Sequence, residues 1–171
     1  MKTRKLIKLV PSLVLCACAV WAPPATADYK AVILDDGWGS RIYGVSSGDQ
    51  VGIVDGHAAM WSGTAESYVD LNPTGFLYSE ARGICGDQKV GWGRGSTTEG
   101  NNHALLWSGT PGTWVDLNPL GFAESWAYGV SGNQQVGYGW GDDTEWYYHA
   151  LMWSGSAETC ADLNPIGFIG S

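Results

Sequence analysis

The sequence predicts an all-β protein made of tandem four-stranded antiparallel repeats that are β-propeller-like blades. The first observation is a repeat, because the stretch at 103–122 recurs almost unchanged at 57–76 and 149–168, an interval of 46 residues. The second is that short segments of alternating hydrophobicity separate turns rich in Gly, Asp and Asn, with no helical period. Four short strands in a period of this length are typical of propeller blades, so we expect three blade-like units.

Turn residues separate the first two strands of each unit. The first strands are predicted at 41–46, 80–85 and 126–131. The second strands are predicted at 50–54, 89–93 and 135–139. Glycine beside Asp or Asn supplies the positive φ that a tight hairpin requires, so the turn between these strands joins antiparallel neighbours.

The third strand of each unit is the segment His-Ala-x-x-Trp-Ser, and the fourth strand ends at Asn-Pro. The fourth strands are predicted at 68–71, 113–117 and 159–163. Proline has no N–H to donate to a ladder, so strand pairing stops there. Seven extra residues precede the third strand in the second and third units, and these segments, 94–102 and 140–148, are predicted to be loops that project into solvent.

The chain is predicted to hold a single repeat domain at 28–171 behind a signal peptide at 1–27. Its units run approximately over 40–78, 79–124 and 125–171. Residues 28–39 precede the first unit and are predicted to be a partial strand, a degenerate copy of the fourth strand.

The N-terminus has the order of a secretory signal. Basic residues cluster in 1–8, an apolar run follows at 9–21, and the triplet Ala25-Thr26-Ala27 supplies a cleavage site. The apolar run is too short to be a stable membrane anchor, and no later run is long enough to cross a bilayer. We therefore expect a secreted, extracellular protein without a transmembrane segment. The alternative is a lipid anchor at Cys18, because residues 15–18 loosely resemble a bacterial lipobox.

The predicted mature chain is strongly acidic. The leader holds four of the nine basic residues and none of the seventeen acidic ones, which leaves five against seventeen, about −12. Phosphate binding requires a concentrated positive patch, and the five remaining Lys and Arg residues are scattered. Nucleic acid is therefore excluded as a partner.

Two cysteines remain after the leader, Cys85 and Cys160. An oxidising compartment permits a bridge between them, but they occupy different positions in the repeat. The alternative is two small, partly buried thiols, and the sequence leaves both open.

The repeat resembles a known family in three motifs. They are Tyr-Gly-Val-Ser-Gly-Asn-Gln-Gln-Val-Gly at 128–137, His-Ala-Leu-Met-Trp at 149–153 and Val-Asp-Leu-Asn-Pro at 115–119. This succession resembles the bacterial extracellular repeats of the HAF family over residues 29–168. The resemblance implies a propeller-like organisation and no particular reaction. The sequence departs from the family where Ala59, Leu105 and Leu151 stand in place of Phe, and where Asn-Pro follows Asp-Leu.

Three units are fewer than the four to eight blades of a typical closed propeller. Three outcomes follow: an open arc, a ring completed by a second copy of the chain, or a product that lacks further repeats. An open arc exposes the apolar flanks of its terminal sheets, and such surfaces favour association. We therefore expect a homo-oligomer.

The repeated polar and aromatic residues are predicted to be structural. His57, His103 and His149 suggest a metal site by residue type, but equivalent atoms in adjacent blades lie far apart, so each His is expected to fix a neighbouring turn. Asp70, Asp116 and Asp162 are expected to accept hydrogen bonds from turn backbone rather than to bind calcium. Trp61, Trp107 and Trp153 are expected to pack one unit on the next. No metal and no cofactor is predicted.

The third unit's loop at 140–148 is the candidate binding site. Four aromatic residues and three acids lie within these nine residues, and aromatic faces stack on sugar rings while carboxylates bind sugar hydroxyls. The candidate residues are Trp140, Asp142, Asp143, Trp146 and Tyr147. The structural alternative is that the hairpin continues the two strands and that Trp140 and Trp146 pair across it.

No set of residues with a nucleophile beside a base, or with paired carboxylates, stands apart from the repeat. The predicted function is therefore a non-catalytic surface or matrix interaction module that binds carbohydrate or another cell-surface partner. An architectural fragment of a larger propeller, without its own ligand, is the alternative. An enzyme that acts on polysaccharide is the third hypothesis.

Overall fold

The computed structural model describes residues 32–34, 39–109 and 112–169, all within the unit Val32–Ser171. These residues form twelve β-strands and four 3-10 turns, without an α-helix. The strands are β1 (Arg41–Ser46), β2 (Asp49–Val54), β3 (His57–Trp61), β4 (Val69–Asp70), β5 (Phe76–Cys85), β6 (Gln88–Gly95), β7 (His103–Ser108), β8 (Trp114–Asp116), β9 (Phe122–Ser131), β10 (Gln134–Gly141), β11 (His149–Trp153) and β12 (Ala161–Asp162). The predicted signal peptide, its cleavage site and Cys18 lie outside the described residues.

The strands form three antiparallel sheets in tandem, each with its four strands in chain order. Sheet 1 is β1 to β4, sheet 2 is β5 to β8, and sheet 3 is β9 to β12. The predicted all-β architecture of tandem four-stranded antiparallel repeats is therefore confirmed. The three sheets do not close into a ring. No helix in the described ranges is long and apolar enough to cross a membrane.

Two sets of strand bounds differ from the prediction. In sheets 2 and 3 the first hairpin is longer, since β5 begins at Phe76 and β6 ends at Gly95, with Phe76 paired to Gly95. Part of each predicted loop is therefore strand. The fourth strands are shorter, because 3-10 turns at Ala65–Ser67 and Ala157–Thr159 occupy the chain just before β4 and β12. Of the predicted partial strand at 28–39, residues 32–34 have no strand assignment, and most of the rest lies outside the described residues.

Glycines in the second strands allow the first two strands to approach closely. A Cβ at Gly91 would overlap the Glu80 carbonyl oxygen, and one at Gly137 would overlap that of Trp126. β-bulges interrupt the register beside these glycines, between Ala81 and Gly83 in sheet 2. No residue larger than glycine fits at these two positions without a shift of the backbone.

Consecutive sheets pack face to face, and we call the face that meets the next sheet the leading face and the opposite one the trailing face. One buried cluster joins Val51, Ala58 and Leu71 of sheet 1 to Leu105 and Trp107 of sheet 2. A second cluster repeats this arrangement between sheets 2 and 3, with Val90, Ala104 and Leu117 against Leu151 and Trp153. The Trp107 indole also donates to Leu71 O across the junction at 2.9 Å. The prediction that Trp107 and Trp153 pack one unit on the next is confirmed.

A hydrogen bond between a serine and an asparagine stabilises each junction between sheets. Ser79, on the first strand of sheet 2, donates to Asn72 Oδ1 of the preceding unit at 2.6 Å. The same Ser79 hydroxyl accepts the Ala58 N–H of sheet 1 at 2.9 Å. Ser125 and Asn118 form the same 2.6 Å bond at the next junction. The asparagine of the Asn-Pro element therefore also accepts a hydrogen bond from the following sheet. We call it the socket asparagine.

Candidate functional site

The repeated histidines each bind the repeated aspartate of the same unit. The Nδ1–Oδ2 distances are 3.1 Å for His57–Asp70, 2.7 Å for His103–Asp116 and 2.7 Å for His149–Asp162. Each aspartate also accepts the N–H of the asparagine two residues later at 2.8 Å. The predicted capping role of the aspartates is confirmed, whereas each histidine bonds to an aspartate on the adjoining strand and not to a turn, as had been predicted. No group of three metal-ligating side chains occurs among the described residues.

The two cysteines are free thiols and do not form a bridge. Cys160 packs beside the cluster between sheets 2 and 3, and burial, with a smaller contribution from the Asp162 charge, raises the pKa of its thiol to about 11. A thiol with so high a pKa is protonated at physiological pH and reacts slowly.

The two long loops follow the same path, although their sequences differ. Glu99 and Glu145 both have left-handed backbone, with φ of 54° and 50°. Gly100 N–H donates to Gly95 O, and Trp146 N–H donates to Gly141 O, both at 2.9 Å. Most residues of both segments are exposed, as predicted, and each segment contains an ordered 3-10 turn that belongs to the repeat.

Trp146 occupies a backbone position that favours glycine. Its φ is 67°, and the equivalent residue in the preceding loop is Gly100, with φ of 85°. A large side chain in the left-handed region is a genuine outlier, and such strain costs about 1–3 kcal/mol. Burial does not offset this strain, because Trp146 is 59% exposed.

Trp140 and Trp146 lie against each other, with ring centroids 5.2 Å apart. They are not a cross-strand pair, because the partner of Trp140 on the neighbouring strand is Glu124 and Trp146 lies in the turn. The structural alternative of a hairpin continued as far as Trp146 is therefore wrong in its geometry, although the ring contact itself is present.

A continuous series of ring contacts extends from this pair across sheet 3. Trp140 contacts Tyr148 at 6.4 Å, and Tyr148 contacts Tyr138 at 5.4 Å. Trp126 lies 5.1 Å from Tyr138 and 6.2 Å from Tyr148. We call the resulting surface the aromatic face, and it consists of Trp126, Tyr128, Tyr138, Trp140, Trp146 and Tyr148.

Two tyrosines lie together at the end of the aromatic face. The Tyr128 and Tyr138 rings stack at 5.5 Å and their hydroxyl oxygens lie 3.2 Å apart. Burial, and then the hydrogen bond to Tyr138, raise the pKa of Tyr128 above its ordinary value. The Tyr128 hydroxyl is therefore a hydrogen-bonding group, not a charge, at physiological pH.

Of the six rings of the aromatic face, sheet 2 has only one at an equivalent position, because Trp92 stands where sheet 3 has Tyr138. Sheet 2 carries Glu80 at the position of Trp126 and Arg94 at that of Trp140. It carries Gly100 and Asn102 where sheet 3 has Trp146 and Tyr148. Polar or small residues have thus been replaced by aromatic ones at several positions that the structure brings together.

The structure divides the five predicted site residues. Trp140 and Trp146 belong to the aromatic face. Asp143 and Tyr147 instead line a separate depression of about 300 Å³ with His149 and Phe168. Asp142 is exposed in the 3-10 turn Asp142–Thr144, between Trp140 and Trp146 in the chain.

The sequence reasoning missed Trp126, Tyr128, Tyr138 and Tyr148. The signal was present, because aligning the units at the 46-residue interval shows aromatic residues replacing Glu80, Arg82 and Asn102. Alternation along β9 and β10 then places Trp126, Tyr138 and Trp140 on one face of the sheet.

The comparisons with known proteins add no assignment. No family model, no curated protein and no solved structure matches this chain.

Proposed function

We propose that the protein is a secreted, non-catalytic binding module whose aromatic face takes up a carbohydrate chain. The observation that carries the proposal is Trp146, an exposed indole held at a φ of 67° where the preceding unit has glycine. Strained and exposed residues of this kind concentrate at ligand sites, because packing gives no reason to keep them.

The chemistry of the aromatic face suits a sugar polymer. Flat ring faces offer the apolar C–H surface of a pyranose a large contact area at low conformational cost. Trp146 and Tyr148 are exposed at the loop end, and exposed carboxylates of Asp142 and Glu145 lie on the same loop to accept hydroxyl hydrogen bonds. The extended arrangement of rings suits several consecutive residues of a polysaccharide better than a single small molecule.

The binding test is a glycan array followed by titration calorimetry on the polysaccharide that binds best, with wild-type protein and Trp146→Gly. Glycine is the residue that the preceding loop carries at this position, so the variant relieves strain and keeps the fold. We expect unfolding at the same temperature or higher, together with at least a tenfold loss of affinity, about 1.4 kcal/mol.

The matched control is Phe168→Ala, which removes an exposed aromatic ring from the separate depression. It should bind like the wild type. Binding that survives Trp146→Gly and disappears with Phe168→Ala would move the site to the depression, and turnover of any polysaccharide would contradict the non-catalytic assignment.

The proposal extends to the architecture and the family of the chain. We propose further that the three sheets act as blades of a propeller-type assembly and that the chain is one of the bacterial extracellular HAF-type repeat proteins. Stacked sheets with leading and trailing faces support the first statement, and the motif succession at 128–165 supports the second. A purely architectural role is the second candidate, because sheet 3 leaves a docking face uncovered.

A further inference from the structure

Sheets 2 and 3 differ in charge as well as in aromatic content. Sheet 2, over residues 76–116, has three Lys or Arg residues and four Asp or Glu residues. Sheet 3, over residues 122–162, has six Asp or Glu residues and neither Lys nor Arg. The positive residues of sheet 2 and the uncharged residues at the same positions of sheet 3 are Arg82 and Tyr128, Lys89 and Gln135, and Arg94 and Trp140. Two of these three replacements belong to the aromatic face, so the sheet that gained the rings also lost its positive charge.

The long loop of sheet 3 has gained carboxylates at the same time. The loop at 94–102 has one Arg and one Glu, whereas the loop at 140–148 has three acidic residues and no basic one. Asp142 and Asp143 are the two additions, and all three acidic residues are exposed within four positions of Trp146. Asp143 and Glu145 line the depression beside this loop. Negative potential therefore surrounds the exposed indole of Trp146.

Two groups near the aromatic face can carry positive charge, and each has an acidic partner. The Arg82 guanidinium lies 5.8 Å from the centroid of the Tyr128 ring, and it forms an ion pair with the buried Glu80. His149 Nδ1 lies 2.7 Å from Asp162 Oδ2. Neither group offers an unpaired cation to an anionic polymer.

The combination of rings and carboxylates discriminates among sugar polymers by their charge. A chain of uronic acids or sulfated sugars would bring negative groups to a surface that is already negative, and like charges in contact oppose binding. A neutral chain gains the ring contacts alone. A chain with protonated amino groups gains the ring contacts, charge-assisted hydrogen bonds to the carboxylates, and attraction of its ammonium groups to the indole faces.

We infer that the aromatic face takes up a cationic polysaccharide, a chain of amino sugars whose amino groups are free and protonated. The inference rests on the proposed function and adds to it the chemical class of the sugar. Pyranose C–H surfaces stack on the rings, while ammonium groups reach the carboxylates of the loop at 140–148. A lysine-rich peptide would also satisfy the carboxylates, but its flexible side chains offer the rings no flat surface and lose more conformational entropy on binding.

The test compares two oligosaccharides of equal length that differ only at nitrogen, an oligomer of glucosamine and an oligomer of N-acetylglucosamine. Titration calorimetry is done with the full chain at about pH 6, where free amino groups are protonated. The glucosamine oligomer is expected to bind at least about tenfold more tightly in low salt, and the difference should shrink as added salt screens the charges. An oligomer of galacturonic acid should show no binding.

A double variant tests the carboxylates without touching a ring. Asp142→Ser with Asp143→Thr restores the residues that the sheet 2 loop carries at 96 and 97 in the same 3-10 turn, so the fold is kept. It should weaken binding of the glucosamine oligomer by about threefold or more, since each exposed ion pair contributes modestly, and leave binding of the N-acetylglucosamine oligomer unchanged.

The matched control is Glu66→Gln with Glu158→Gln. It removes the same net charge from two other 3-10 turns, Ala65–Ser67 and Ala157–Thr159, and should bind both oligomers like the wild type. Equal losses in the two double variants would show that net charge alone attracts the chain and would overturn the role of the loop carboxylates. Circular dichroism melts confirm that both double variants stay folded.

The failure of this inference is distinct from the failure of the proposed function. Equal affinity for the two oligomers, or tightest binding of a neutral or acidic polysaccharide that Trp146→Gly abolishes, would overturn the cationic assignment and leave the carbohydrate site in place. A lysine oligomer that binds as tightly as the glucosamine oligomer would show that charge alone is recognised, which overturns the sugar assignment. If no polysaccharide binds in a manner that depends on Trp146, the proposed function and this inference are both wrong.

Discussion

Sheets 2 and 3 share their strand order, their histidine–aspartate pair and the path of their long loop, yet they differ in what covers them. The leading face of sheet 2 is buried under sheet 3, and the same residues on sheet 3 meet no other sheet. The two sheets also differ in residues on this face, which carries Glu80 and Arg94 in sheet 2 and Trp126 and Trp140 at the same positions of sheet 3. Residues that recur in every unit therefore serve the fold, and the places where one unit departs from the rest indicate function.

Leucine truncation gives the largest expected contrast between the two sheets. Leu117→Ala leaves a cavity at the junction of sheets 2 and 3 and should lower the free energy of unfolding by about 2–5 kcal/mol. Leu163→Ala changes a half-exposed residue and should cost under about 0.5 kcal/mol in dilute protein. Urea titrations of both variants measure the difference, and equal losses would show that sheet 3 is covered in solution even at low concentration.

Glycine substitution gives an intermediate contrast. A Cβ at Gly83 would lie 2.8 Å from the carbonyl oxygen of Tyr128 in the next sheet, while one at Gly129 meets only the Val136 side chain at 3.0 Å. Gly83→Ala should therefore cost about 1–3 kcal/mol through overpacking, and Gly129→Ala less than half of that. Thermal melts at one protein concentration compare them. Equal losses would show that the Tyr128 carbonyl oxygen does not limit the space at Gly83.

The repeat made the fold predictable to a large extent. The interval of 46 residues and the Gly-Asp turns defined three four-stranded units, because each turn requires residues that only a few amino acids can supply. The hairpin extensions were missed, since alternating glycines at 91, 93 and 95 contribute no side chain to a hydrophobic pattern. In the structure those glycines are paired with β5. They are glycines because β5 lies too close for a larger residue, as at Gly91.

The candidate site was predictable only in part. Trp140 and Trp146 were found because both lie in one short segment, whereas Trp126 and Tyr138 come from strands whose adjacency depends on sheet pairing. The exposure of the aromatic face could not follow from sequence either. Val90 and Val136 are the same residue in the same motif, and only the order of sheets determines that one is buried and the other is not.

Removal of the socket asparagine gives the smallest contrast and the one that most directly joins fold to assembly. Asn118→Ala leaves the Ser125 hydroxyl and the Phe122 carbonyl without their partner, so it should cost about 1–3 kcal/mol. Asn164→Ala removes a bond to the carbonyl of the exposed Phe168, together with a buried oxygen that has no donor, so in dilute protein these effects offset and stability should change by less than about 0.5 kcal/mol. Urea titrations of both variants measure this contrast, and equal losses would show that the bond from Ser125 is not what Asn118 contributes to stability.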